Sequence, residues 1–251
     1  MIRLWMILYN LIFIPFSLIV TSILSLVNPK IRKGLNGRVK ILKKVRKDLV
    51  KIGSHQPRII CHVSSYGEFL QGKPVFEQLK QLNPNLFIIV TVFSPSGYEN
   101  ITVQPPIDYL CYLPIDSYFG MKKFISIISP DVAVIVRHDI WPNFIWQLKK
   151  RNIPLILIDA SLSEKSSHFY PVLRNLSRLQ FNQFDSIMAI TDEEANRFRR
   201  LIGKQEKIEV IGDTKYDQVY ERSKFTERFS RLSRHPALKN KKTLIAGSTW
   251  G

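Results

Sequence analysis

Arg58-Ile59-Ile60-Cys61-His62-Val63-Ser64-Ser65-Tyr66-Gly67-Glu68-Phe69-Leu70 is the stretch on which the fold turns: a short apolar run, a turn of small residues, and a carboxylate where a helical pattern begins. In an open parallel sheet, ligands bind outside the carboxyl ends of the strands, and the free N–H groups of the next helix face the same crevice. Glu68 is therefore expected at the mouth of such a crevice. An acid in a first helical turn also gains from the helix dipole alone, which is the plainer reading of the same residue.

The pattern repeats outward from this stretch. Short β-branched runs at 58–63, 86–92, 109–113, 131–136, 155–159, 186–190 and 208–211 alternate with helical patterns at 69–81, 118–128, 142–151, 171–181 and 193–202, the last capped by Thr191 or Asp192. Such alternation predicts an α/β fold, a Rossmann-like open, mostly parallel sheet with helices on both faces, over residues 52–220. Residues 221–242 read as a charged connector. Thr243 to Thr249 read as a fresh strand and turn, the expected start of a further domain.

The charge narrows the partners. Thirty-seven Lys and Arg against 20 Asp and Glu give a net +17 over 251 residues, which calls for an anionic partner. Much of it follows directly on Leu4–Val27, an uncharged apolar run close to the ~20 residues that cross a bilayer as a helix. Lys30, Arg32, Lys33, Arg38, Lys40, Lys43 and Lys44 come next, each worth roughly 1 kcal/mol against an anionic leaflet. The expected layout is a membrane anchor at 1–28, a basic juxtamembrane segment at 29–51, and a body kept on the cytoplasmic side by that basic flank. The anchor either spans or lies in one leaflet, since Asn10, Pro15 and several hydroxyl residues interrupt it. A cleaved signal peptide fits poorly, because Arg3 is a thin basic start and no small-residue cleavage site follows.

Aromatic residues are not interleaved with the basic cluster as a base-stacking surface requires, so nucleic acid is not an expected partner. Cys61 and Cys111, each inside an apolar run, read as buried free thiols of a reducing compartment. No Cys/His cluster has metal-ligand spacing, and no metal or other cofactor is expected.

Three further strand ends turn through polar residues at the same predicted sheet edge: Thr91 to Gly97, Val136 to Asn143 and Ile211 to Asp217. Together with the His-x-x-Ser-x-Gly-Glu turn at His62 to Glu68 and the early Leu8-Tyr9-Asn10, they resemble the amino-terminal half of the membrane-anchored Kdo transferases. Those enzymes add 3-deoxy-D-manno-octulosonic acid (Kdo) from CMP-Kdo to the lipid A precursor, lipid IVA, in Gram-negative bacteria. The resemblance extends over Tyr112 to Asp116, Trp141 to Asn143, Ala160 to Ser166, Gly212 to Asp217 and the Gly-Ser-Thr turn at Gly247 to Thr249.

What the resemblance implies is an inverting glycosyltransferase of the two-domain GT-B type at the cytoplasmic face of the inner membrane. The present half would bind the acceptor, and CMP-Kdo would be held by a missing carboxyl-terminal domain, so that this chain alone does not catalyse. Glu68 would be the general base and Lys215 a stabiliser of the transition state. Ser64, Ser65, Gly67, Ser94, Gly97 and Trp141 would contact substrate, as would Ser248 and Thr249. The family's Glu-x-Glu before Trp-Pro-Asn is Arg137 and Asp139 here, so the first acid is reversed in sign and Asp139 either shares its role or caps a helix. His62 is expected as an oriented strand residue. Two alternatives stay open: a non-catalytic lipid A-binding pseudoenzyme, and a GT-B enzyme acting on another lipid-linked sugar.

Overall fold

Seven runs of β-branched and aliphatic residues form one parallel sheet: β1 (Arg58–Val63), β2 (Phe87–Val92), β3 (Tyr109–Tyr112), β4 (Val132–Val136), β5 (Leu155–Ala160), β6 (Ser186–Ala189) and β7 (Ile208–Val210), in the order β3-β2-β1-β4-β5-β6-β7. Near-continuous apolar sequence, rather than alternation, is what a sheet covered on both faces demands. The computed structural model describes residues 2–53, 56–137, 139–164, 166–203, 206–229 and 236, so Ser248, Thr249 and the further domain expected from 243 lie outside the described residues.

The strand order reverses between β1 and β4, which are hydrogen-bonded neighbours with Cys61 opposite Val134 and His62 opposite Ile135. Chain leaving one of these strands turns to one side, and chain leaving the other turns away, so a crevice opens between their carboxyl ends. Into it run Ser64 to Glu68 after β1 and Arg137 to Trp141 after β4.

The helices are α1 (Ile2–Leu8), a π-turn (Tyr9–Phe13), α2 (Ile14–Val27), α3 (Pro29–Arg38), α4 (Ile41–Ile52), α5 (Tyr66–Leu82), α6 (Pro95–Asn100), α7 (Tyr118–Ile128), α8 (Pro142–Lys149), α9 (Pro171–Phe181), α10 (Asp192–Ile202) and α11 (Thr214–Phe229). Thr191 caps α10 through Glu194 N. One core layer gathers Ile41, Val45 and Leu49 of α4 with Met121, Phe124 and Phe144 under the sheet; the other packs Phe69 and Phe76 of α5 against Val90, Val134 and Val136.

Two segments differ from the sequence reading. Residues 29–51, expected as a basic lead-in, form α3 and α4, and α4 puts three aliphatic side chains into the core while its lysines stay outside. The helix carrying Glu68 begins at Tyr66 rather than Phe69, because the Ser65 hydroxyl accepts from Glu68 N and caps the helix three residues earlier. α11 runs without a break through residue 220 to Phe229.

Candidate functional site

Ser64 stands between two acids at the switch point. Its backbone N–H donates to Glu68 Oε2 at 2.5 Å, and its hydroxyl donates to Asp139 Oδ2. Glu68 is half-buried at the third position of α5, so part of its carboxylate closes the helix start in the manner of a capping box. The dipole reading of this acid thus has a concrete counterpart, and the same geometry leaves it at the carboxyl edge of β1, on the crevice.

Asp139 is the most densely held group of the site. Oδ2 accepts from Ser64, from Trp141 Nε1 at 2.8 Å and from His62 Nε2 at 3.0 Å. His62 is fully buried in β1 and pairs its Nδ1 with Thr91 Oγ1 of β2 at 2.9 Å. Nε2 carries the proton directed at Asp139, while the Thr91 hydroxyl can turn to serve Nδ1 as donor or acceptor. Burial pushes the Asp139 carboxyl up, but the bonds from His62, Ser64 and Trp141 and the His62 charge outweigh it, and its pKa lies below the ordinary carboxylate value. A carboxylate so saturated holds charge in place and is a poor proton acceptor.

Small residues let the walls approach. Ser94 caps α6 by accepting from Gly97 N, while Ser94 N donates to Ser64 O, so the β1 and β2 turns are stitched together. A Cβ on Gly97 would meet Val92 Cγ2 at 2.6 Å, Ser94 Oγ at 2.9 Å and Tyr66 N at 3.2 Å, which gives this glycine a packing reason independent of any ligand. At Gly67 the nearest such contact is Ser65 Oγ at 3.8 Å, so no comparable crowding requires glycine there.

Arg137 is held at the carboxyl end of β4. It sits just after β4 in the left-handed region (φ 70), its N–H donating to Ile158 O, and its charge acts on Asp159 and Glu194, drawing both carboxyls down against the burial that raises them. Its Nε is buried without a hydrogen-bond partner among the described residues. Asp159, buried and also in the left-handed region (φ 49), accepts from Thr214 N at 3.0 Å and Thr214 Oγ1 at 2.5 Å, fixing the start of α11. Thr214 Oγ1 also reaches Gln71 O on α5 at 2.6 Å, which brings the exposed Lys215 to the flank of the Glu68 helix.

The sequence reading missed a second polar cluster beside this site. Asp116, fully inside, accepts from Tyr9 OH at 3.0 Å, Asn143 N at 3.0 Å and Phe144 N at 2.9 Å. Asn143 and Asn10 exchange both amide bonds, at 2.9 and 3.0 Å, and Asn10 Oδ1 takes Tyr118 N at 2.9 Å. Burial raises the Asp116 carboxyl to about 7 against the pull of its donors. Tyr9-Asn10, Asp116 and Asn143 are separate motifs in the sequence, and each is a polar residue set in apolar surroundings, the one signal that they share a partner.

Between these clusters lies an apolar cavity of about 430 Å³, bounded by Phe13, Ser17 and Thr21 on the apolar helix, Ile31 and Leu35 on α3, and Trp141 on the acid side. Arg38 closes it: Nε donates to Leu113 O and Nη2 to Phe93 O, and the guanidinium lies 4.5 Å over the Phe93 ring, which in turn packs 4.6 Å from Trp141. Burial lowers Arg38 to about 10.

A family profile described as 3-deoxy-D-manno-octulosonic-acid transferase (kdotransferase) matches residues 34–218. The chain is 33% identical over 161 residues to the 3-deoxy-D-manno-octulosonic acid transferase of Haemophilus influenzae, covering 63% of this chain and 38% of that one. It is 28% identical over 156 residues to the transferase of the same name from Chlamydophila psittaci, covering 61% and 36%. The chain thus spans little more than a third of the length of these relatives. Among solved structures, UDP-GlcNAc 2-epimerase of Methanocaldococcus jannaschii superposes with a TM-score of 0.53 at 19% identity over 72% of this chain and 52% of that one, a likeness of fold. The profile match, running from α3 to the beginning of α11, establishes that the chain belongs to the Kdo transferase family.

Proposed function

We propose that this chain forms the acceptor side of a Kdo transferase, and that Glu68 takes the proton from a sugar hydroxyl of the lipid A precursor, lipid IVA. The acceptor oxygen then attacks the anomeric carbon of Kdo, the bond to CMP breaks, and configuration inverts. CMP-Kdo would come from a nucleotide-sugar domain of the kind the longer relatives have room for. The observation that carries the reading is the unequal pair of acids on Ser64. Asp139 accepts three bonds and is held ionised, suited to facing the positive charge that develops on the transferred sugar as CMP leaves, while Glu68 is held through a backbone N–H at the crevice. Lys215 would offset the donor's phosphate charge. Ser65 and Ser94, which cap the two helices opening on the crevice, would contact the acceptor together with Trp141.

The apolar cavity beside Trp141 supports a lipid-linked acceptor, and the basic flank supports a place at the cytoplasmic face of the inner membrane. The test is transfer from CMP-Kdo to lipid IVA by this chain joined to the carboxyl-terminal half of the Haemophilus influenzae relative. Glu68→Gln should abolish turnover and leave lipid IVA binding within a few-fold. Normal turnover by that variant removes Glu68 from the base role. Preferential capture of an undecaprenyl-linked sugar over lipid IVA would assign a different acceptor. Arg137, turned toward Asp159 and Glu194, favours a second reading as a binding module without turnover. Lipid IVA binding with no transfer in the joined protein would support that one.

A further inference from the structure

We infer that the apolar segment 4–27 lies along one leaflet of the bilayer rather than across it. The conclusion stands apart from which sugar is transferred. It starts from two points at which the chain is fastened to the same body. At Asn10 the segment is tied to Asn143 and Tyr118, with Tyr9 on Asp116. At α3 the chain is fastened again: Gly34 is buried against Pro95, and Arg38 bonds Leu113 O and Phe93 O. Gly37 lets α3 approach this closely, since a Cβ there would fall inside the Tyr112 ring.

The return path is too short for a crossing. α2 ends at Val27, and Asn28 turns the chain by accepting from Lys30 N and Ile31 N. From Asn28 to Gly34 is six residues, or about 9 Å of helix at 1.5 Å per residue. The hydrocarbon layer is about 30 Å thick. The far end of α2 therefore stays near the body, although the helix itself is long.

Burial along the helix agrees with this. Asn10, Ile14, Ser17, Leu18, Thr21 and Ser25 form one helical stripe turned inward along its whole length. Leu11, Ile12, Phe16, Ile19, Ile23 and Val27 on the other side are each more than half exposed. A spanning helix held at one end would be bare on all sides beyond that end. The occupant of the bare face is the acyl layer of an anionic leaflet, and charge argues for it. Next to Leu11 and Ile7, the exposed Phe119 leads into a groove of about 950 Å³ lined by Arg46, Arg58, Lys122, Lys123 and Arg151. None of these five has a carboxylate within 4.0 Å among the described residues; Arg58 and Arg151 are braced on the oxygens of Ile128, Gly53, Gln147 and Lys122, and the uncompensated positive charge of the groove suits lipid phosphates.

The test measures immersion depth in vesicles of phosphatidylethanolamine and phosphatidylglycerol. Nitroxides are placed at Ile12→Cys, Ile19→Cys and Leu26→Cys, positions seven residues apart; Cys61 and Cys111 are buried and stay unlabelled. The expected result is one common depth. Steps of about 10 Å between successive positions, the rise of a helix along the membrane normal, would overturn the inference. An epitope placed ahead of Met1 supplies a second reading in cells. It should be reached from the same membrane side as a label on Lys47→Cys, and access from the opposite side would refute the geometry independently.

Discussion

Replacing Asn10 by leucine tests whether the apolar helix is fastened by its amide pair or merely leans on the body. The side chain is half-buried and nearly isosteric with the replacement, so the change removes hydrogen bonds with little change in volume. Four bonds are lost: the two exchanged with Asn143, the one from Tyr118 N and the one that Nδ2 gives to Met6 O. Asn143 Oδ1 and Tyr118 N are left without these partners in a poorly hydrated place, at about 1–3 kcal/mol each. The added apolar contact of leucine returns about 1 kcal/mol. The net loss is about 1–5 kcal/mol and falls on docking, since the partners of Asn10 outside its own helix are Tyr118 and Asn143. Urea unfolding of the detergent-solubilised chain should show it as a lower first midpoint, and amide exchange over 4–27 should rise while β1 and β4 remain protected. A shift worth under about 1 kcal/mol, with exchange unchanged, would show that apolar packing on Trp146 alone holds the helix and that the cluster is idle.

Buried carboxyls and close-packed turns have further measurable consequences. Asp116 is raised from 3.8 to about 7, so between those values the folded chain keeps a proton that the unfolded chain releases. Stability therefore falls as pH climbs from about 4 to 7, by roughly 4 kcal/mol at most, and Asp116→Asn should flatten that slope in a urea-midpoint series. Asp139 works in the opposite sense: its lowered pKa gives stability present above the ordinary carboxylate value and lost as pH drops through the folded one. Ser64→Ala takes one donor from Asp139 and should raise its pKa, readable by carboxyl NMR titration, with stability lowered by about 1 kcal/mol. Gly97→Ala should cost about 1–3 kcal/mol by crowding Val92 and Ser94, and thermal unfolding would detect it without any ligand.

The sheet was legible because each strand is a β-branched run ending in a polar turn, and the order of such units leaves few ways to build a parallel sheet. The α4 helix was harder to see, since its lysines and arginine dominate composition while Ile41, Val45 and Leu49 recur at four-residue spacing beneath them. α6 is one and a half turns long and starts with Pro-Ser-Gly, a signature shared with loops. In the site, Glu68 and Asp139 could be located by strand ends alone. That Ser64 joins them, that Thr91 meets the His62 ring, and that Asn10 meets Asn143 are contacts across 29 to 133 residues of sequence, which no local pattern encodes.

Arg38 gives the amino-terminal helices a say in the site. Its guanidinium covers Phe93, Phe93 covers Trp141, and Trp141 donates to Asp139, a relay of stacked groups from α3 to the acid. A shortened version lacking the first forty residues, made for ease of handling, would dissolve more readily and yet differ at the crevice: Phe93 would lose its lid, water would come closer to the indole and the carboxylate, and ligand binding measured on it would describe another surface.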